Sequence, residues 1–182
     1  MNLLDLFLPF LLIGGILICF RRAFLRTLVS IFTLFIALIV AALLYTPLLK
    51  WFTSATSGGG PTNQNGGSVV FAGLLILFFV LLEYAVSHNY PNMRIAWLKN
   101  WDHILGGVIG VIWTALVISL ILLILHYGSL TVGAAQVSGL AYSIEQSKVA
   151  DVFRAFFSVP LSIIKLLFPN GLPEILKYFG HY

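Results

Sequence analysis

The stretch ILGGVIGVIWTALVISLILLIL, residues 104–125, decides the fold class of this chain. It contains no ionisable side chain. A helix needs about 20 consecutive apolar residues to cross the hydrocarbon core of a bilayer. The stretch therefore predicts a transmembrane helix.

Three further apolar runs of similar length lie before it, at residues 3–20, 27–49 and 69–87. The first could be mistaken for a signal peptide, which has a positive start and a shorter apolar core. This run instead carries Asp5 near its start and is followed by Arg21, Arg22 and Arg26. That order of charges predicts a helix that is retained. The chain is therefore predicted to cross the membrane four times.

The composition supports the same fold class. The 182 residues are 60% hydrophobic and 9% charged, with a mean hydropathy of +1.02, whereas soluble domains are about half apolar and about a quarter charged. The sequence predicts an all-α, polytopic integral membrane protein with four transmembrane helices and interfacial amphipathic helices. Its single cysteine, Cys19, excludes an intrachain disulfide and is interpreted as a packing residue.

Two regions are expected. Residues 1–142 form the four-span domain, with a Gly-rich polar loop at 53–68 and a Trp-containing interfacial segment at 88–101. Residues 143–182 form an amphipathic tail outside the membrane or at its interface. In this tail Arg154 and Lys165 would cost about 2.5 to 3.5 kcal/mol each near the bilayer centre, and Pro160 interrupts the segment. A surface-lying or re-entrant element at 143–168 is therefore favoured over a fifth span.

The orientation follows from the positive charges in the loops. The first and third loops hold five cations, and the second holds only Lys50. Cytoplasmic loops carry the excess of Lys and Arg. Both termini are therefore predicted to lie outside the cytoplasm. The residues that set this topology are Arg21, Arg22, Arg26, Arg94 and Lys99.

The start of the fourth span contains features of helix packing. Gly106 and Gly110 form a GxxxG step, and Thr114 continues the same face. Small residues at this spacing let two helix backbones approach closely in lipid, so this face is predicted to hold another helix, from the same chain or from a second copy. Asp102 is predicted to be the N-cap of the fourth span. Asp5 and Glu83 are the acidic side chains for which a functional role is considered, because ionisable groups in spans are costly.

Enzymatic chemistry is not expected. The four histidines are scattered, and no metal-binding, nucleophile or cofactor motif accompanies them. We expect no enzyme activity, no cofactor and no bound metal. The net charge of +4 comes from cations beside the apolar runs, so the lipid bilayer is the expected partner and nucleic acid is not.

Four stretches of the chain resemble the colicin V production protein family of bacteria. They are Leu4-Asp5-Leu6, the turn Arg21-Arg22-Ala23-Phe24-Leu25-Arg26, the span start Asp102-His103-Ile104-Leu105-Gly106-Gly107-Val108-Ile109-Gly110, and Glu145-Gln146-Ser147-Lys148-Val149. Ala23 stands where the family often has glycine, and His103 where it often has arginine. The resemblance covers roughly residues 1–160. It implies a four-span protein of the bacterial inner membrane, and it adds Ser147 to the polar residues of functional interest.

Three functions remain open at this point. The preferred hypothesis is a non-enzymatic accessory or scaffold protein that acts in bacteriocin production or export, or in envelope homeostasis, with other membrane or envelope proteins as partners. The second is a small channel or transporter subunit that works as a homo-oligomer and uses Asp5, Thr33, Glu83 and Thr114 as its polar lining. The third is a membrane anchor that presents its tail to a partner enzyme.

Overall fold

A computed structural model describes residues 3–22, 24–55, 65–90, 101–131, 142–167 and 176, and all regular secondary structure in these ranges is helical. This confirms the predicted all-α class. The long helices are α1 (Leu3–Arg22), α2 (Phe24–Ala55), α3 (Asn65–Asn89), α4 (Trp101–Thr131) and α5 (Lys148–Leu167). A single helical turn at residues 142–145 precedes α5.

Four of these helices are long and apolar enough to cross a membrane, as predicted. The qualifying segments are Leu4–Arg22, Phe24–Trp51, Val69–Asn89 and Trp101–His126. The helices extend beyond the predicted apolar runs, because backbone hydrogen bonding continues past the last apolar side chain. Residues 53–55 and 65–68, predicted as loop, are thus helical. In the predicted interfacial segment, residues 91–100 lie outside the described residues.

The helix α4 lies at the centre of the bundle and packs against α1, α2, α3 and α5. It runs antiparallel to α1, because Gly107 lies beside Phe20 whereas Gly15 lies beside Thr114. The helices α2 and α3 are also antiparallel, since Ser30 meets Glu83 at one end. We call the end that carries Arg21, Arg22 and Arg26 the basic end, and the end where α1 begins the opposite end.

Apolar side chains cover the outside of the bundle as well as its core. On α1, Phe10 is 77% exposed, whereas Leu8 is buried against α4 and α5. In water such a surface would be unfavourable. In a bilayer the acyl chains cover it, so the exposed apolar side chains fit a chain that spans the membrane four times.

The helix α5 differs from the four spans in being strongly amphipathic. It does not qualify as a span by composition. Its side chains Phe153 and Phe157 are buried in the bundle. The sequence suggested an interruption at Pro160, but the helix continues through this residue to Leu167. A proline removes one backbone hydrogen bond, and the neighbouring turns and the packing of the buried face keep the helix continuous.

Candidate functional site

The polar and small residues singled out from the sequence gather at four places between helices. The first is the contact between α4 and α1. Gly107 and Gly110 are buried, whereas Val108 and Val111, each one residue further along α4, are exposed. A Cβ at Gly110 would overlap the Cβ of Cys19, so the two backbones are closer here than two ordinary side chains allow. The structure thus places α1 of the same chain on this face of α4.

Thr114 continues the same contact one turn further along α4. Its side chain is 2% exposed and lies directly over Gly15 of α1, where a Cβ would collide with it. Small residues therefore alternate between the two helices, glycine on α4 against Cys19 and glycine on α1 against Thr114. Gly106 is also buried.

The second place is where the end of α1 and the start of α2 meet α4, at the basic end. The backbone N–H of Phe24, where α2 begins, donates to Oδ1 of Asp102 at 3.1 Å. Nδ1 of His103 lies 3.0 Å from the carbonyl oxygen of Phe20. A carbonyl can only accept, so this nitrogen carries the proton. Two adjacent residues of α4 thus form hydrogen bonds with two backbone groups at helix ends, the carbonyl of Phe20 in α1 and the N–H of Phe24 in α2.

Asp102 was predicted to cap its own helix. Among the described residues, Asp102 accepts its hydrogen bond from Phe24 at the N-terminus of α2, and α4 already begins at Trp101. The carboxylate is 3% exposed. A negative charge at a helix N-terminus is stabilising there because the first backbone N–H groups point at it. The carboxylate of Asp102 therefore stabilises the N-terminus of α2 instead of that of α4, and its partner Phe24 lies 78 positions away in sequence.

The third place is the carboxylate of Glu83 on α3. The hydroxyl of Ser30 on α2 lies 3.1 Å from both Glu83 oxygens, and the hydroxyl of Thr33 lies 3.5 Å from Oε2. Arg22 approaches to 3.8 Å, with its side chain 41% exposed. The group thus ties α3 to α2 and to the end of α1 near the basic end. Its chemistry is that of a carboxylate held by hydroxyl donors, which keeps a polar group satisfied in an apolar bundle.

The fourth place lies at the opposite end and joins Asp5 to the start of α5. The Ser147 hydroxyl donates to Asp5 Oδ1 at 2.6 Å, and the backbone N–H of Ala150 donates to Ser147 Oγ at 3.1 Å. Asp5 Oδ1 also lies 3.5 Å from the backbone nitrogen of Val149. Ser147 is therefore the N-cap of α5, and Asp5 reinforces it from α1 with a negative charge at the helix N-terminus.

The four polar residues considered for a channel lining do not share one face. Thr33 and Glu83 lie together near the basic end. Asp5 lies at the opposite end beside Ser147. Thr114 is packed between α4 and α1. The structure thus distributes them over three separate helix contacts.

The positive residues predicted to set topology are only partly described. Arg21 and Arg22 are exposed at the basic end and Arg26 is half-buried there. Arg94 and Lys99 lie outside the described residues. In the tail, Nη2 of Arg154 donates to the carbonyl oxygen of Ile144 at 2.7 Å, and its Nη1 lies 3.4 Å from Asp151. This cation is therefore paired near the start of α5.

Three hydrogen bonds between helices were not identified from the sequence. The hydroxyl of Ser119 on α4 is fully buried and lies 2.9 Å from the carbonyl oxygen of Phe153 on α5. Ser30 binds Glu83, and His103 binds the end of α1. A lone serine in an apolar run was the available signal for Ser30 and Ser119. Their partners lie 53 and 34 residues away, so local spacing could not identify them.

The stretches that carry the family resemblance meet in pairs at two of these places. Asp5 meets Ser147 at the opposite end, and the turn between α1 and α2 meets Asp102 and His103 at the basic end. A family model described as colicin V production protein matches residues 4–157 of the 182-residue chain. The chain belongs to the colicin V production protein family.

The family match includes α1 to α4 and the first half of α5. Membership supports a role in colicin V production. Comparison with curated proteins and with solved structures finds no match.

Proposed function

We propose that this chain is a non-enzymatic accessory or scaffold protein of the bacterial inner membrane, with both termini outside the cytoplasm, and that it acts in colicin V production, export or envelope homeostasis. Family membership supports the link to colicin V production. The four apolar helices support the membrane location. The cluster of arginines at the basic end supports an orientation with that end in the cytoplasm.

One observation carries the scaffold part of the proposal. Asp5, Glu83 and Asp102 each accept hydrogen bonds from a different helix of the same chain. A catalytic or transport carboxylate needs to face a substrate or a water-filled path. Here the carboxylates serve as acceptors that join helices, so their role is to fix the bundle.

The faces available to partners follow from the packing. The glycine face of α4 is occupied by α1 and cannot bind a second protein without opening the bundle. The apolar outer faces of α1 and α3 are exposed, and so are the polar side chains of α5: Lys148, Asp151, Ser158, Ser162 and Lys165. Other envelope proteins, or a second copy of the chain, would therefore bind at these outer faces.

The test separates the charge of the carboxylates from their role as acceptors. Asp5→Asn, Glu83→Gln and Asp102→Asn each keep an acceptor oxygen in place and remove the charge. Each is expressed in a colicin V-producing strain that lacks the parental gene. Colicin V in the culture supernatant is measured together with the amount of the variant in the membrane. A scaffold is expected to support parental output with all three variants.

Matched alanine variants at the same positions remove the acceptor as well. We expect Asp5→Ala, Glu83→Ala and Asp102→Ala to lower the amount of folded protein and, with it, the output. Loss of a general acid or base costs about 10²–10⁴-fold in rate. A loss of that size in an amide variant that is present at the parental level would contradict the scaffold proposal and favour charge-dependent transport or catalysis.

A further inference from the structure

The helix α5 has three distinct faces, each following a spacing of three and four residues. The face toward the bundle is buried and apolar: Ala150, Phe153, Phe157, Leu161 and Ile164. A second face is exposed and polar: Lys148, Asp151, Ser158, Ser162 and Lys165. A third face is exposed and apolar: Val152, Phe156, Val159, Ile163 and Leu166. We call this third set the free apolar stripe.

The three faces point in different directions around the helix. At 100° per residue, the centre of the free apolar stripe lies roughly 100° from the centre of the polar face and roughly 140° from the centre of the buried face. A helix in bulk water needs one apolar face and one polar face. Three faces fit a helix that meets three surroundings: protein on one side, hydrocarbon on the second and water or headgroups on the third.

The contacts of α5 fix how deep it lies. Its N-terminus is joined to Asp5 at the opposite end of the bundle. Phe153 is joined to Ser119, which precedes the end of the fourth span at His126 by seven residues, about 10 Å along a helix. Val108 and Ile112, on the same face of α4 as Ser119, are exposed. The helix α5 therefore leaves α4 before it reaches the basic half.

Further along α5, Phe157 and Pro160 line a small apolar pocket between α4 and α2. Its other lining residues include Leu34, Leu38 and Leu116. These contacts lie near the middle of the two spans, and the basic half of α4 is not reached. The helix therefore runs obliquely from the opposite end toward the middle of the bundle. In this position the free apolar stripe contacts neither the protein core nor the headgroups at the basic end.

We propose that the free apolar stripe of α5 lies among the acyl chains of the leaflet at the opposite end, while the polar face points to the headgroups. The start of α5 packs beside α1, since Leu8 belongs to one buried cluster with Ala150 and Phe153, and the outer side of α1 is itself apolar, with Phe7 and Phe10 exposed. Lys148, at the start of the polar face and next to the Asp5 contact, suits the phosphates of the headgroups at the opposite end. With the orientation proposed above, this is the outer leaflet, and α5 inserts into it without crossing.

The test uses adjacent positions on the two exposed faces. Val159→Cys and Ile163→Cys report on the stripe, and Ser158→Cys and Ser162→Cys are the matched controls on the polar face. Each purified full-length variant carries a small environment-sensitive fluorophore on the new thiol. The parental protein, whose Cys19 is buried, gives the background. The variants are reconstituted in vesicles of phosphatidylethanolamine and phosphatidylglycerol.

Two quenchers distinguish the surroundings. Lipids with a quenching group on the acyl chain are expected to quench the labels at 159 and 163 severalfold more than those at 158 and 162, and aqueous iodide is expected to show the reverse order. Equal quenching by iodide at all four positions would overturn the proposal, because the stripe would then face water. Protection of 159 and 163 from both quenchers would also overturn it, because protein would then cover the stripe. Helical content measured by circular dichroism verifies that each variant is folded.

Discussion

The central helix α4 uses two different ways to hold its neighbours. Toward α1 it presents glycines, and the contact depends on the two backbones being close. Toward α5 it presents Ser119 among larger apolar side chains, and the contact combines side-chain packing with a hydroxyl shared between the Ala115 carbonyl of α4, at 2.7 Å, and the Phe153 carbonyl of α5, at 2.9 Å. The first contact joins two spans, and the second attaches an amphipathic helix to a span.

The difference has a physical basis. Two apolar spans gain no hydrophobic energy from pairing in lipid, so close van der Waals contact has to supply the association. The amphipathic α5 carries a polar face that hydrocarbon does not solvate, so its position must be specified by directional bonds at its N-terminus and along its length. We therefore expect substitutions in the first contact to affect the whole bundle, and substitutions in the second to affect α5 alone.

The largest effect is expected for Gly110→Leu. The new side chain would occupy the space of Cys19, and overpacking of this kind costs about 1–3 kcal/mol or more. The control is Val111→Leu, at an exposed position 100° around the same helix. Thermal unfolding and monodispersity in detergent are measured for both. Equal behaviour of the two variants would show that the glycine face does not hold α1.

A second experiment tests the same contact by compensation. Gly110→Ala places a methyl group against the Cβ of Cys19, whereas with Cys19→Gly the nearest atom left is the Cα, at 3.8 Å. The double variant is therefore expected to be more stable than the sum of the two single changes predicts. Interaction energies between contacting residues are about 0.5–3 kcal/mol. Strict additivity of the unfolding free energies would contradict the close approach at this position.

A smaller and local effect is expected for Ser147→Ala, which removes the N-cap of α5 and the bond to Asp5. Loss of an N-cap costs about 0.5–2 kcal/mol. Hydrogen exchange measured by mass spectrometry should become faster in α5 and remain unchanged in α1 and α4. The control is Ser158→Ala, whose hydroxyl bonds only its own helix at an exposed position. Faster exchange throughout the bundle would mean that the two contacts are not independent.

The smallest effect is expected for Ser119→Ala. Hydrogen bonds between helices in membranes contribute about 0.6 kcal/mol on average. The rate of hydrogen exchange in α5 around Phe153 should rise slightly, and the midpoint of global thermal unfolding should change little. Ser162→Ala, in which an exposed bond within α5 is lost, is the matched control. A shift in global unfolding as large as that of Gly110→Leu would contradict the proposed division between the two contacts.

The contact between α4 and α1 could be predicted from the apolar runs and the glycine spacing. For the contact between α4 and α5, the sequence predicted only that an amphipathic segment follows the fourth span. Long uncharged runs identify spans because no other structure satisfies the backbone in lipid. Gly106, Gly110 and Thr114 lie on one face of one helix, so a local pattern reveals them. The bond between Asp5 and Ser147 joins residues 142 positions apart, and Asp102 serves a helix 78 positions away. Such pairs depend on which helices are neighbours in the bundle, and the residue pattern of a single helix does not determine that.

The central claim is that the chain crosses the membrane four times and that α5 is not a fifth crossing. Accessibility to a membrane-impermeant thiol reagent tests it most directly. In intact spheroplasts we compare Ser57→Cys, between α2 and α3, with a cysteine added after Tyr182 and with Arg21→Cys at the basic end. The account predicts labelling of the first two before permeabilisation and of Arg21→Cys only afterwards. Labelling of the added C-terminal cysteine together with Arg21→Cys, and not with Ser57→Cys, would place a fifth crossing after α4 and contradict the account.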